Sequence, residues 1–222
     1  MRHTQAGLSP TLLPETPARP GESMRASPLH LALRDATRES HHVIDHHPLM
    51  APLVRSDLSL AEYLRALRAL HWIHVAMQKE LAAAVATMGN GFVLADRVDW
   101  LRADLESLGA EAVPAPVDWR APELTSAAEL IGALYVIEGS TLGGQVIARR
   151  IENSLGLGVT SGLRFFIGWG KETERRWQEF WRFADAACGP AHDIAAASAV
   201  RLFDALRHGF DLATNMPETA TL

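Results

Sequence analysis

Leu60, Leu64, Leu67, Leu70, Ile73 and Met77 recur at steps of three and four residues, a spacing that lines one face of an α-helix and suits no strand. Stretches rich in Ala, Leu, Arg and Glu extend this pattern from Leu29 onward, with breaks at Pro48/Pro52, Gly89-Asn90-Gly91, Pro114 to Pro122, Gly156 to Gly162 and Gly189-Pro190. Such breaks are helical punctuation. Strand alternation is nowhere sustained, and the expectation is an all-α fold with helices near 29–47, 58–88, 95–109, 124–155, 171–187 and 191–212. No internal repeat is visible.

With 222 residues, 48% of them hydrophobic, the chain is long enough to bury one substantial core and requires no second. The expected organisation is a flexible Pro-rich extension over 1–28, a helical domain over 29–215 and a tail over 216–222. The extension holds five of the twelve prolines and lacks the apolar core of a secretory signal; Met24 is a candidate alternative start. A net charge of −5 argues against nucleic acid as the main partner, and no apolar run is expected to approach a membrane span. One cysteine, Cys188, excludes an intrachain disulfide framework and fits a cytoplasmic setting.

Two segments carry the chemistry. Tyr135-Val-Ile-Glu-Gly-Ser-Thr-Leu-Gly-Gly-Gln145 places Gly139, Gly143 and Gly144 inside a helical pattern. Each costs about 0.5–1 kcal/mol relative to alanine, so something should lie against the bare backbone. That occupant is either a ligand or a second helix crossing closely, and the segment alone fits both.

The other segment ends in His41-His-Val-Ile-Asp-His-His47. His42 and His46 stand at i and i+4 but lack further spaced ligands, so these two and His47 read as partly exposed residues at a helix end. His41 differs because Asp45, one turn on, can hold one ring nitrogen and leave the other free for a metal. Arg34 lies two turns earlier, about 10.5 Å away, comparable to the reach from a haem iron to its propionates. A core histidine beside a surface ion pair explains this helix equally well.

Taken together, Leu33-Arg-Asp-Ala-Thr-Arg-Glu-Ser-His41 and Glu138-Gly-Ser-Thr-Leu-Gly-Gly-Gln-Val146 resemble the proximal and distal helices of the haem oxygenases, in particular the bacterial, biliverdin-producing, bacteriophytochrome-associated type. The resemblance extends more loosely over about residues 29–212. It implies a helical bundle with haem b, both substrate and cofactor, between the first helix and a kinked, glycine-rich distal helix. His41 matches the proximal iron ligand. Arg34 and Tyr135 match propionate contacts, and Arg175, Arg176 and Arg182 are candidates for the second propionate, with Arg176 taken as the representative. Gly139, Gly143 and Gly144 match the glycines that approach the distal haem face, so His41, Gly139, Ser140 and Gly143 form the expected catalytic set. Ser140 departs from the pattern of family members that carry an aspartate there; it and Thr141 could hold a water instead.

The residue types suit the reaction. A neutral imidazole pushes less electron density onto iron than a thiolate, and a glycine-rich wall crowds the oxygen sterically without supplying an acid. The implied products from haem and O2 are biliverdin, carbon monoxide and ferrous iron. No Gly-x-Gly-x-x-Gly follows a strand, so no tightly bound nucleotide is expected and a ferredoxin or reductase must supply electrons. Arg149, Arg150, Arg164, Lys171, Arg175, Arg176 and Arg182 form a basic cluster that an acidic donor could use, or simply a solvated helix face. A bacteriophytochrome is a possible recipient of the bilin. The aromatic group Phe165, Phe166, Trp169, Trp177, Phe180, Trp181 and Phe183 reads mainly as core. Two other functions fit parts of this pattern. One is a haem carrier or sensor. The other is a hydrolytic enzyme on a related bundle, against which the lone Cys188 and the absence of a second Glu-x-x-His to match Glu39-Ser-His-His42 both count.

Overall fold

Ser27, Asp96 and Ser126 each cap a helix by accepting a backbone N–H, from His30, Asp99 and Glu129 respectively, which satisfies donors that a helix leaves open at its N-terminus. Ser59 and Glu62 form a reciprocal capping box, with Ser59 N–H donating to Glu62 at 2.8 Å and Glu62 N–H donating to Ser59 at 3.2 Å. The computed structural model describes residues 27–88 and 92–216. The expected N-terminal extension before residue 27, the break at 89–91 and the tail from 217 lie outside the described residues.

Among the described residues the caps and turns set seven helices: α1 (Pro28–Asp45), α2 (Leu60–Met88), α3 (Arg97–Ser107), α4 (Ala127–Leu155), α5 (Arg164–Ile167), α6 (Thr173–Cys188) and α7 (His192–Asn215). There is no strand among the described residues. Ser126 starts α4 three residues later than the sequence pattern suggests, and Gly156 ends it in a left-handed conformation, φ 67°, which glycine adopts without strain. The short α5, and a 3-10 turn over Ala51–Val54 at the Pro48/Pro52 break, are too brief for periodicity to reveal.

At the centre, α4 packs against α7, α6, α5 and α2, while α1 packs on α7. The expectation that no apolar run approaches a membrane span needs correction. An 18-residue stretch of α4 has mean hydropathy 1.3, long and apolar enough to cross a membrane, but 56% of that stretch is buried in the fold. Helices surround it, and a core helix meets the same apolar requirement as a spanning one.

A tight crossing in this core is made by a glycine that the sequence pattern did not single out. A Cβ at Gly132 would lie 2.1 Å from the carbonyl oxygen of Ala195 and 2.9 Å from the amide nitrogen of Ala199. The backbones of α4 and α7 therefore meet there without room for a methyl group.

His47 also departs from expectation. The chain turns after Asp45 and tucks this residue beneath α7, leaving it 6% exposed. Its Nδ1 accepts the Leu49 N–H at 3.1 Å, which places the proton on Nε2, and Nε2 faces Asp211 at 3.1 Å. It is an anchor between elements, not a partly exposed residue at a helix end.

Candidate active site

A cavity of about 360 Å³ lies between α1 and α4, with walls from α2, α5, α6 and α7. Its volume falls in the range of ligand pockets, about 300–1,000 Å³. Leu70, Ile147, Phe165, Phe166, Phe203 and Phe210 make its lining largely apolar. Trp177 also lines it, so the aromatic group divides: three members face the cavity, while Phe180 and Trp181 are core.

His41 enters this space from the end of α1. Its Nδ1 stands 3.0 Å from Asp45 Oδ2, which orients the ring and leaves Nε2 available as a metal ligand. His42 and His46 do not line the cavity; their rings lie 4.2 Å apart, and His46 Nδ1 is 2.9 Å from the His42 carbonyl oxygen.

From α4, Tyr135, Gly139, Ser140, Gly143 and Gly144 all reach the same cavity. The helix runs through every one of them, and the three glycines have different neighbours. A Cβ at Gly143 would meet nothing within 4 Å, one at Gly139 would touch the Trp177 ring at 3.5 Å, and one at Gly144 would stand 3.0 Å from the Phe166 carbonyl oxygen. Close helix crossing therefore does not account for Gly139 or Gly143.

Ser140 and Thr141 donate their hydroxyl protons back into the helix, to the carbonyls of Ile137 at 2.7 Å and Glu138 at 2.5 Å. Their oxygens can still accept a hydrogen bond from a ligand or water but, in these rotamers, cannot give one.

The expected cationic contacts are placed elsewhere. Arg34 sits 3.1 Å from Asp35 and does not line the cavity. Arg176 pairs with Glu179 at 3.0 Å, donates to the Val93 carbonyl and lies over Trp169. Arg175 is paired with Glu172 and Glu179, and Arg182 is exposed. Within the basic cluster, Arg164 also turns inward, over the Trp100 ring. The cluster is therefore broken up by ion pairs and aromatic contacts.

Periodicity and motif spacing did not single out the most buried polar groups in and around the cavity. Arg97, 4% exposed, lies 3.3 Å from Glu138, 2% exposed. The contacting atoms are misaligned for a hydrogen bond. His74 and Arg97 both line the cavity, and burial foremost, then the charges of Arg97 and His71, pushes the His74 pKa down to about 3. One signal was available: His74 directly follows Ile73 in the apolar stripe of α2. Asp104, 1% exposed, accepts the Arg164 and Phe165 amides at 2.7 and 2.8 Å, and so fixes the start of α5 and the two phenylalanines that wall the cavity. Burial raises its pKa despite those bonds.

The fold and this site define a class: helical proteins with an apolar pocket between two helices, one oriented imidazole within it and a backbone wall exposed by glycine. These features fit a planar, mostly apolar metalloporphyrin, because the imidazole offers an axial ligand and the missing Cβ at Gly143 leaves room beside the helix. The family model described as Heme oxygenase matches residues 27–197. A haem oxygenase of Xanthomonas campestris pv. campestris (strain 8004) is 33% identical over 153 residues, covering 64% of this chain and 89% of the relative. The solved haem oxygenase of Leptospira interrogans superposes with a TM-score of 0.68 at 18% identity, covering 83% of this chain and 98% of that one. The NO- and CO-bound haem oxygenase of Neisseria meningitidis gives 0.61 at 24% identity, with 85% and 94% covered. Haem oxygenase-1 of the cyanobacterium Synechocystis sp. PCC6803, in complex with haem, gives 0.59 at 18%, with 83% and 91% covered. The chain belongs to the haem oxygenase family: it is a haem-binding enzyme that degrades haem.

Proposed function

We propose that this enzyme cleaves haem with O2 and externally supplied electrons to biliverdin, carbon monoxide and ferrous iron, in the manner of the bacteriophytochrome-associated type. One observation carries the reading. A single apolar cavity holds the His41–Asp45 pair and the glycine face of α4 together. Bound haem supplies both the iron at which O2 reacts and the porphyrin that is cut.

In this reading His41 holds the iron through Nε2, while Asp45 keeps the ring oriented and its other nitrogen engaged. Gly139, Gly143 and Gly144 give the distal face a backbone surface, so that a small ligand is confined by shape. Ser140 acts as an acceptor that orients a distal water. Tyr135 meets the porphyrin edge, and Arg34 and Arg176 serve the propionates once they turn from their present partners. The apolar walls exclude bulk water. Electrons come from a separate ferredoxin or reductase, with no tightly bound nucleotide in the chain. The enzyme works in the cytoplasm and supplies a bilin chromophore, to a bacteriophytochrome for instance, or releases iron.

The test is to add haem to the purified protein, record the Soret band, supply reductase and oxygen, and identify the pigment by chromatography. Biliverdin is expected. His41→Ala should lower turnover by on the order of 100-fold or more, since even partners behind a metal ligand are worth about 10–100-fold, while His42→Ala should change it little. Bound haem that never yields biliverdin would make the protein a carrier or sensor, and equal losses in both variants would remove His41 as the ligand.

A further inference from the structure

Because Ser140 and Thr141 spend their hydroxyl protons on the helix backbone, neither is placed to feed protons to the cavity. Three adjoining spaces offer another source. A small cavity beside the large one has room for about one water molecule and is lined by His74, Gln78, Arg97 and Glu138. His74 and Arg97 line the large cavity as well. On the other side, Gln78 belongs to a surface groove together with Asp96. The three spaces thus share walls in sequence, from solvent to the site.

The polar atoms along this line are prepared for a water. Arg97 Nη2 and Glu138 Oε1 face each other at 3.3 Å, fully buried, yet neither has a hydrogen-bond partner. Unmet buried polar groups of this kind are costly, and one water accepting from arginine and donating to glutamate satisfies both. Gln78 is held at the outer end, with its Nε2 donating to Asp96 Oδ1 at 3.1 Å and its Oε1 accepting the Val98 amide at 3.4 Å. A neutral His74 has one nitrogen that accepts and one that donates, as a relay requires.

We propose that Gln78, the Arg97–Glu138 pair and His74 form a proton inlet from the Asp96 groove to the haem cavity, replacing a distal carboxylate at position 140. This inference rests on the haem-oxygenating function above. Water in the groove passes a proton to the water enclosed in the small cavity, that water passes one to the accepting nitrogen of His74 as the other ring nitrogen releases one to water in the large cavity, and a turn of the ring restores its tautomer. No group changes its net protonation over a cycle, and the hydroxide left outside is neutralised by bulk buffer. Gln78, Arg97 and Glu138 act through the water they enclose and exchange no protons themselves, so they are positioning residues.

The decisive variants are Gln78→Met, which keeps the side chain's volume, and Glu138→Gln. The protein is loaded with zinc protoporphyrin, which closes the cavity but cannot be oxygenated, and exchange of the His74 ring N–H with solvent is followed by nitrogen-edited NMR. Either variant should slow exchange by at least about tenfold. With haem and reductase, both should slow biliverdin formation and enlarge its solvent deuterium isotope effect. Lys79→Ala, which alters the groove but not the inner cavity, should behave as wild type in both. Unchanged exchange in either variant overturns the inlet, and so does slowed exchange with undiminished turnover. If wild-type protein forms no biliverdin, the oxygenase function itself falls, while the exchange rates still report whether the inlet exists.

Discussion

Helix α4 carries glycine for opposite reasons at two interior positions. At Gly132 the helix presses on α7 so tightly that a methyl group would meet the Ala195 carbonyl oxygen at 2.1 Å, whereas at Gly143 the same methyl group would meet nothing within 4 Å. Both positions pay the same entropic cost in a helix interior. The first recovers it through packing between backbones. The second recovers nothing from packing, because it opens on the cavity. A glycine in a helix therefore has no fixed meaning until its neighbour is known.

The largest test of this contrast is Gly132→Ala. Overpacking a core usually costs about 1–3 kcal/mol and occasionally more, and contact with backbone places this variant at or above the upper end. Denaturant unfolding should show a loss of about 3 kcal/mol; a loss below about 1 kcal/mol would mean that α4 and α7 can slide apart easily.

An intermediate effect comes from His74, on the cavity side of the molecule. Its folded pKa, about 3, lies below the ordinary histidine value, so between the two the unfolded chain binds a proton that the native chain does not. Stability from this group is thus complete above about pH 6.5 and falls as the solution is acidified, by roughly 1.5–2 kcal/mol between pH 6.5 and 5. Unfolding curves for wild type and His74→Leu at both pH values should diverge by that amount. Parallel curves would show that the cavity's inner end is wetter than its burial implies.

Gly143 should give the smallest responses. Gly143→Leu is expected to fold normally but to bind haem about tenfold more weakly, near 1.4 kcal/mol, because its side chain occupies the cavity. Gly143→Ala should raise stability by about 0.5–1 kcal/mol as helix propensity is regained. A destabilised Gly143→Ala would erase the distinction between the two positions.

The legibility of these regions in the sequence follows the range of the forces involved. Helix identity could be read because the three- and four-residue spacing of Leu60 to Met77 is local. The pairing of His41 with Asp45 could be read because one helical turn brings them together, and the distance found is 3.0 Å. His47 was misread because its partner, Asp211, is 164 residues away. Arg97 follows a capping aspartate and shows no pattern that would reveal a buried charge, so its pairing with Glu138 emerges only when the start of α3 comes within side-chain reach of α4.

By itself the sequence determined the helical class, most helix limits to within a few residues, the oriented imidazole and the presence of bare backbone in α4, since all of these are set by contacts within a few turns of one helix. Tertiary structure alone decided that Gly132 is a packing glycine, that Gly143 opens on a cavity and that a buried ion pair stands beside the glycine segment of α4. Those facts depend on which surfaces of separate helices meet, and the pattern of side chains along one helix does not specify its partner's position.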